Sequence, residues 1–137
     1  MKDLDTLHTE GQRILDRANE EYRRGLETGA VMSVFLLAVT ARNMLSPDVT
    51  HVVLEWSDQG DFLSLQGAVN AAGEDVYEDH EDEEWEAYSE EAETSFAWNL
   101  GENCASSWQP FVNGSGSRRN QYLLDVDATI AQIGGTL

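Results

Sequence analysis

The sequence predicts an α+β domain in which two amino-terminal helices pack on a small antiparallel sheet, with an acidic amphipathic helix exposed along one side. Three observations support this fold class. Apolar residues have helical spacing in the first third, short β-branched runs separated by turn residues follow, and an acidic stretch then shows helical spacing again. The 137 residues fit a single domain, residues 1–137, that is long enough to bury a core.

The first predicted helix runs from Asp3 to Glu27, and we expect a weak point near Gly11. Its apolar residues form one helical stripe, made of Leu4, Leu7, Ile14, Leu15, Ala18, Tyr22 and Leu26. Thr28 and Gly29 interrupt this pattern, because glycine is a poor helix former. The sequence therefore predicts a helix boundary at these two residues.

The second predicted helix runs from about Ala30 to Leu45. It is apolar on nearly all faces, which is typical of a helix at the centre of a domain. Ser46-Pro47-Asp48 ends it, since the residue before a proline avoids the helical conformation. Its most hydrophobic run, Ala30 to Ala41, has twelve residues and is too short for a membrane span. We therefore expect a buried helix.

A β-hairpin is predicted next. Val49 to Ser57 is rich in strand-forming residues, Asp58 to Asp61 supplies the turn, and Phe62 to Val69 is the partner strand. Val76 and Tyr77 are predicted to form a short third strand.

The last third of the chain is less regular. Trp108 to Val112 is predicted to be an edge strand, because Pro110 cannot donate a hydrogen bond to a neighbouring strand. Tyr122 to Val126 is predicted to be a further strand and Ala128 to Ile133 a terminal helix.

The stretch from Glu74 to Glu93 holds twelve carboxylates in twenty residues and neither Lys nor Arg. From Glu81 to Leu100 it has a helical pattern whose apolar stripe is Trp85, Tyr88, Ala92, Phe96 and Leu100. The other side carries a line of acids, namely Asp79, Glu83, Glu86, Glu90 and Glu93. Repulsion between carboxylates one turn apart costs about 0.2–0.5 kcal/mol per pair, so the helix requires the apolar stripe to pack on a core.

The net charge of −18 far exceeds the magnitude of about 2–8 that keeps a small domain soluble. No Lys or Arg occurs from Asn43 to Ser117, a span with seventeen acids. Such a field repels nucleic acid and anionic membranes and attracts basic proteins. Six of the eight basic residues lie in the first 42 positions, which also hold seven acids, so we expect them to pair with the later acidic region.

The residues whose side chains could react or bind a metal do not form a recognisable catalytic or metal motif. Cys104 is the one cysteine, so no intrachain disulfide forms, and a reducing cytoplasm is the expected location. His8, His51 and His80 have no spacing that suits zinc. We expect no cofactor, no specific metal and no enzymatic activity.

The leading functional hypothesis is a non-enzymatic acidic inhibitor that mimics nucleic acid and blocks the basic groove of a DNA- or RNA-binding protein, as phage-encoded anti-defence proteins do. The expected partner is a basic protein, namely a nucleic-acid-binding enzyme. The candidate partner-binding residues are Asp79, Asp82, Glu83, Glu86, Glu90, Glu93 and Trp98. Trp98 falls off the apolar stripe, which places an aromatic anchor beside the acids.

Two alternatives belong to other classes of protein. The first is a structural or regulatory interaction domain whose charge serves only for solvation. The second is a small hydrolase that uses a pair of carboxylates, although 26 acids offer too many pairs for any one to be informative. The distribution of charge separates the first alternative from mimicry, since a mimic concentrates its acids on one face.

Overall fold

The computed structural model describes residues 3–57, 63–78, 82–101, 108–113 and 121–136. For residues 111–113 it describes the backbone and not the side chains. Its architecture is α+β, as predicted. A long amino-terminal helix, a second and a third helix, and a small antiparallel sheet surround one hydrophobic core.

Helix α1 spans Leu4–Met44 without interruption, so the prediction of two amino-terminal helices with a break at Thr28 and Gly29 is wrong. A glycine costs about 1 kcal/mol relative to alanine inside a helix, which is too little to end one that good helix formers continue on both sides. The Asp3 side chain caps its start by accepting a hydrogen bond of 2.8 Å from the Thr6 backbone N–H. The helix ends before Ser46-Pro47, as predicted.

The two halves of α1 differ in burial. From residue 4 to residue 29, all of them described, no residue is buried. The buried positions lie in the second half and are Ala30, Ser33, Val34, Leu37, Ala38 and Ala41. The expectation of a buried second helix is thus confirmed for one face, while Leu36 on another face is 39% exposed.

By length and composition, α1 contains an 18-residue window apolar enough to cross a membrane, and 33% of that window is buried within this fold. Core helices of folded domains share this property, so the window alone assigns no membrane role to α1.

The sheet has four strands in the order β2-β1-β4-β3, with every neighbouring pair antiparallel. Their bounds are β1 His51–Trp56, β2 Leu63–Val69, β3 Val112–Asn113 and β4 Gln121–Asp125. The predicted hairpin of β1 and β2 is confirmed, while its predicted turn, Asp58 to Asp61, lies outside the described residues. β1 therefore lies between β2 and β4 and contributes Val52 and Leu54 to the core.

Two strand predictions need correction. Around Val76 and Tyr77 the described residues form an isolated bridge between Asp75 and Val69, and the Tyr77 side chain is buried. At the predicted edge strand, Gln109–Phe111 is a 3-10 turn and only Val112–Asn113 pairs with β4. Pro110 sits within that turn, where its missing N–H is tolerated.

The remaining helices are α2, Glu83–Ser95, and α3, Val126–Gly134. A 3-10 turn over Ala97–Asn99 follows α2, so the helix predicted up to Leu100 is shorter than expected and changes its winding near Phe96. Asp125 caps α3, since its side chain accepts a hydrogen bond of 3.0 Å from the Ala128 N–H.

One core cluster joins buried residues of α1, β1, β2, β4, α2 and α3. Trp108, at the start of the predicted edge strand, is fully buried and donates from its indole nitrogen to the Gly101 carbonyl oxygen at 2.9 Å. Its ring lies edge-on to those of Trp56 and Tyr122, with centroids 5.7 Å and 5.5 Å away. Trp56 is partly buried against the core.

Candidate partner-binding surface

Helix α2 carries most of the predicted site, and its local sequence explains how it starts. The Asp82 side chain accepts a hydrogen bond of 2.8 Å from the Glu84 backbone N–H and so caps the helix. Glu83, Glu84 and Glu86 occupy the first turn, where the helix dipole stabilises negative charge. No basic residue lies in the last turn. The predicted site residue Asp82 thus has a structural role as the cap at the amino-terminal end of the helix.

Three buried residues of α2, Trp85, Tyr88 and Ala92, attach the helix to the core. The Tyr88 hydroxyl donates to the Leu37 carbonyl oxygen of α1, and the Tyr77 ring stacks on Trp85 with centroids 6.1 Å apart. The predicted apolar stripe is therefore confirmed as the inner face. Because this face is fixed, the positions that α2 presents to solvent are also fixed.

The structure brings most of the predicted site residues to one flank of α2 and its following turn. Glu83, Glu86 and Glu90 are exposed, and Glu93 is half-buried. Trp98 is 59% exposed and lies in the 3-10 turn. Asp79 lies outside the described residues.

An open concavity of about 560 Å³ runs along this flank, and we refer to it as the acidic groove. It is lined by Glu86, Ser89, Glu90, Glu93, Thr94 and Trp98. Three carboxylates and one exposed indole ring thus face the same volume. This arrangement suits a cationic group that also presents an aliphatic or planar surface.

The turn that carries Trp98 is tied to the core on both sides. Ala97 and Leu100 are fully buried. Asn99 donates from its side-chain amide to the Ser33 hydroxyl of α1 at 3.0 Å. Trp98 therefore projects from a fixed segment of backbone.

Glu93 has a different environment from the other acids of the groove. Burial raises the pKa of its carboxyl group above the usual range, while a hydrogen bond from the Leu65 backbone acts to lower it. Glu93 therefore sits where α2 meets β2, at the inner edge of the groove.

Ser89 and Thr94 line the groove but were missed by the sequence interpretation. Their hydroxyls donate to backbone carbonyl oxygens one turn earlier, those of Glu86 at 3.3 Å and Glu90 at 3.0 Å. The helical period places both residues on the flank of the predicted acids, which is the signal that would have identified them.

Acids are not confined to the groove side of α2. Glu91 is exposed on the opposite flank. On that flank Glu84 accepts a hydrogen bond from the Tyr77 hydroxyl, which itself accepts one of 2.7 Å from the Ser46 N–H. The charge of this helix is thus distributed around its whole exposed surface.

The expected pairing of the basic amino-terminal third with the later acidic region is wrong for the described residues. Arg23 and Arg24 pair with acids of α1 itself, Glu20 and Glu27. Arg42 pairs with Asp127 at the start of α3 at 2.9 Å. Among the ion pairs in the described part of the chain, none involves a carboxylate of α2.

Within the described ranges, no three His, Cys, Asp or Glu side chains come close enough to hold a metal ion together. No protein-family model matches the sequence, and neither a curated protein nor a solved structure is significantly similar to it. A functional assignment for this chain therefore depends on the geometry and charge of its own surface.

Proposed function

We propose that this protein is a non-enzymatic acidic inhibitor that mimics nucleic acid and occupies the basic groove of a DNA- or RNA-binding protein. The acidic groove and its rim, formed by Asp82, Glu83, Glu86, Glu90, Glu93 and Trp98, are the proposed contact surface. The proposed setting is the bacterial cytoplasm, where such a protein would act as a phage-encoded anti-defence factor.

The observation that carries this proposal is the position of Trp98 beside the groove carboxylates. Trp98 is 59% exposed and lines the same concavity as three carboxylates. At a protein interface, tryptophan and charged partners form the contacts with the largest energetic effect. The joint exposure of Trp98, Glu86 and Glu90 around one concavity is typical of an interface.

The spacing of the acids supports recognition by a protein that binds phosphates. Along the helix axis, Glu86 and Glu90 are about 6 Å apart, and Glu90 and Glu93 about 4.5 Å. Phosphates of one duplex strand follow each other every ~3.4 Å along the axis. These spacings are comparable, so lysine and arginine side chains of a nucleic-acid groove can meet the carboxylates by small adjustments.

A second candidate is a structural or regulatory interaction domain whose charge is solvating. The exposed acids on the opposite flank of α2, such as Glu91, favour it, because a mimic has no need for them. The two functions differ in one consequence. Mimicry requires the carboxylates of the groove specifically, whereas solvation depends only on the number of charges.

The experiment compares two variants with equal charge. The first changes Glu83, Glu86 and Glu90 to Gln, and the second changes Glu74, Glu78 and Glu91 to Gln, all six residues being exposed. Each tagged protein captures partners from a bacterial lysate at about 50 mM and about 200 mM salt, and a duplex oligonucleotide is then added as competitor. The captured proteins are identified by mass spectrometry.

We expect the wild type and the second variant to capture a nucleic-acid-binding protein at low salt, and the duplex to displace it. The first variant should lose this capture. Equal capture by both variants, or capture that the duplex does not reverse, would show that the groove is not a nucleic-acid mimic. In a host with a DNA-cleaving defence system, expression of the wild type should also raise the plating efficiency of a restricted phage.

A further inference from the structure

The first half of α1 extends away from the core as an exposed helix. Residues 4 to 29 contain no buried position, and at 1.5 Å per residue the segment from Leu4 to Ala30 is about 39 Å long. Its apolar stripe is exposed to solvent, with Leu4 83% and Tyr22 70% exposed. The other large members of the stripe are also exposed, namely Leu7, Ile14, Leu15 and Leu26. A stripe of this size on a folded protein marks an interaction surface.

The stripe differs from the face that α1 buries in its own domain. At 100° per residue, Leu4, Leu15 and Tyr22 lie close to one angular position, whereas the buried residues of α1 centre about a quarter turn away and overlap that position only at Ser33. Most of the stripe therefore faces a different direction from the buried face of α1.

Small residues recur along the same stripe at a seven-residue interval, at Gly11, Ala18 and Gly25. A Cβ atom added at Gly11 or Gly25 would meet nothing within 4 Å. Glycine inside a helix costs about 0.8–1.0 kcal/mol relative to alanine, and the fold of the single chain gives no steric reason for it. Close approach of a second helix backbone supplies such a reason.

The charge of this segment indicates which helix packs against the stripe. The segment from residue 4 to residue 29 has six acids and four arginines, a net charge of −2 against −18 for the whole chain. Two copies of this protein repel each other strongly over most of their surfaces. This segment is therefore the part where they approach each other with least repulsion.

We propose that residues 4–26 of α1 pair in antiparallel orientation with the same segment of a second copy, forming a homodimer. One edge of the stripe carries, at a seven-residue interval, Asp3, Glu10, Arg17 and Arg24. In antiparallel helix pairs, such an edge faces the same edge of the partner helix. The register that sets Glu10 level with Arg17 also sets Asp3 level with Arg24, and the twofold axis repeats both pairs.

The same register fits the shapes of the side chains. It brings Leu7 near Ala18 and Gly11 near Ile14 of the second copy, so large side chains face small ones. A parallel pair would instead set Glu10 against Leu15 and Arg17 against Tyr22, without complementary charge. The antiparallel dimer ends before the domain begins at Ala30 and leaves the acidic groove on α2 open.

Analytical ultracentrifugation tests the dimer. We expect the wild type to have a mass of about 30 kDa, twice the 15.2 kDa of the chain. Ile14→Glu places a charge in the seam and should give a monomer. Thr9→Glu adds the same charge on the outer side of the helix and should leave the dimer intact. Neither position is buried, so both variants should keep the fold, as circular dichroism would verify.

A charge exchange tests the orientation. Glu10→Arg and Arg17→Glu should each weaken dimerisation at least tenfold, since each creates like-charge pairs across the seam. The double variant should restore it, because the exchanged charges attract again.

Three results would overturn the proposal. They are a wild type that stays monomeric as its concentration rises, an Ile14→Glu variant that still dimerises, and a double variant without recovery. A monomeric wild type that co-sediments with phosphatidylcholine vesicles would assign the stripe to a lipid surface instead.

Discussion

The Tyr88 hydroxyl of α2 donates a hydrogen bond of 3.0 Å to the backbone carbonyl oxygen of Leu37 in α1. Both residues are fully buried, and the bond joins the acidic helix to the longest helix of the fold. The orientation of the acidic groove depends on this attachment, because the groove lies on the flank next to the buried face.

Replacing Tyr88 by Phe should lower the free energy of unfolding by about 0.5–1.5 kcal/mol, the usual contribution of one hydrogen bond. The ring remains, so the fold and the groove should persist. Urea denaturation followed by tryptophan fluorescence measures the change. A loss above about 3 kcal/mol would mean that the hydroxyl does more than satisfy Leu37.

Alkaline pH should destabilise the protein through Tyr77. Burial and the hydrogen bond to Glu84 raise the pKa of Tyr77 to about 12, against 10.0 in the unfolded chain. The folded state holds the proton more tightly, so this stabilisation is complete below pH 10 and is lost as the pH rises from 10 to 12.

Urea midpoints measured between pH 8 and pH 11 check this expectation. Tyr77→Phe should be less stable at pH 8, since it loses the bonds to Ser46 and Glu84, but its stability should decline less above pH 10. An unchanged decline in this variant would exclude Tyr77 as the cause.

Glu93→Gln should stabilise the protein at neutral pH. Burial raises the pKa of Glu93, so the charged form opposes folding, and wild-type stability falls as the pH rises above the unfolded value of 4.5. The glutamine oxygen can still accept the Leu65 N–H. The variant should therefore exceed the wild type in urea midpoint at pH 7 and match it below pH 4.

Glu90→Gln is the control for this effect, because it removes the same charge from an exposed position of α2. A gain in Glu90→Gln equal to that in Glu93→Gln would attribute the effect to the net charge of −18 and not to burial.

The two tryptophans that the sequence could not assign to the core should behave in opposite ways. Trp108→Ala should cost about 3–5 kcal/mol, since the ring is fully buried and its nitrogen is bonded to Gly101. Trp98→Ala should cost less stability than Trp108→Ala, because its ring is 59% exposed, and should reduce partner affinity at least tenfold. Denaturation and titration of the captured partner measure the two effects. If Trp98→Ala binds the partner as well as the wild type, Trp98 is not an interface anchor.

Local sequence patterns were sufficient to predict most secondary-structure elements and the buried face of α2. The β1–β2 hairpin, the strand near Tyr122 and the stripe of Trp85, Tyr88 and Ala92 follow from periodicity and propensity, which act over a few residues. The acidic line of Glu83, Glu86 and Glu90 follows from the same period. Its grouping on one flank was therefore readable before the structure.

The sequence by itself determined the helical segments, the strands β1, β2 and β4, the charge of the acidic helix and the stripe along the first half of α1. Only the structure decided that Gly29 continues a helix, that Trp98 and three carboxylates line one concavity, and that Trp108 is buried. The physical reason is that the environments of Trp98 and Trp108 depend on contacts between distant parts of the chain, while the continuation through Gly29 depends on the balance of small helix propensities. A helical period fixes which residues share a face, but only packing decides whether that face meets the core, the solvent or another molecule.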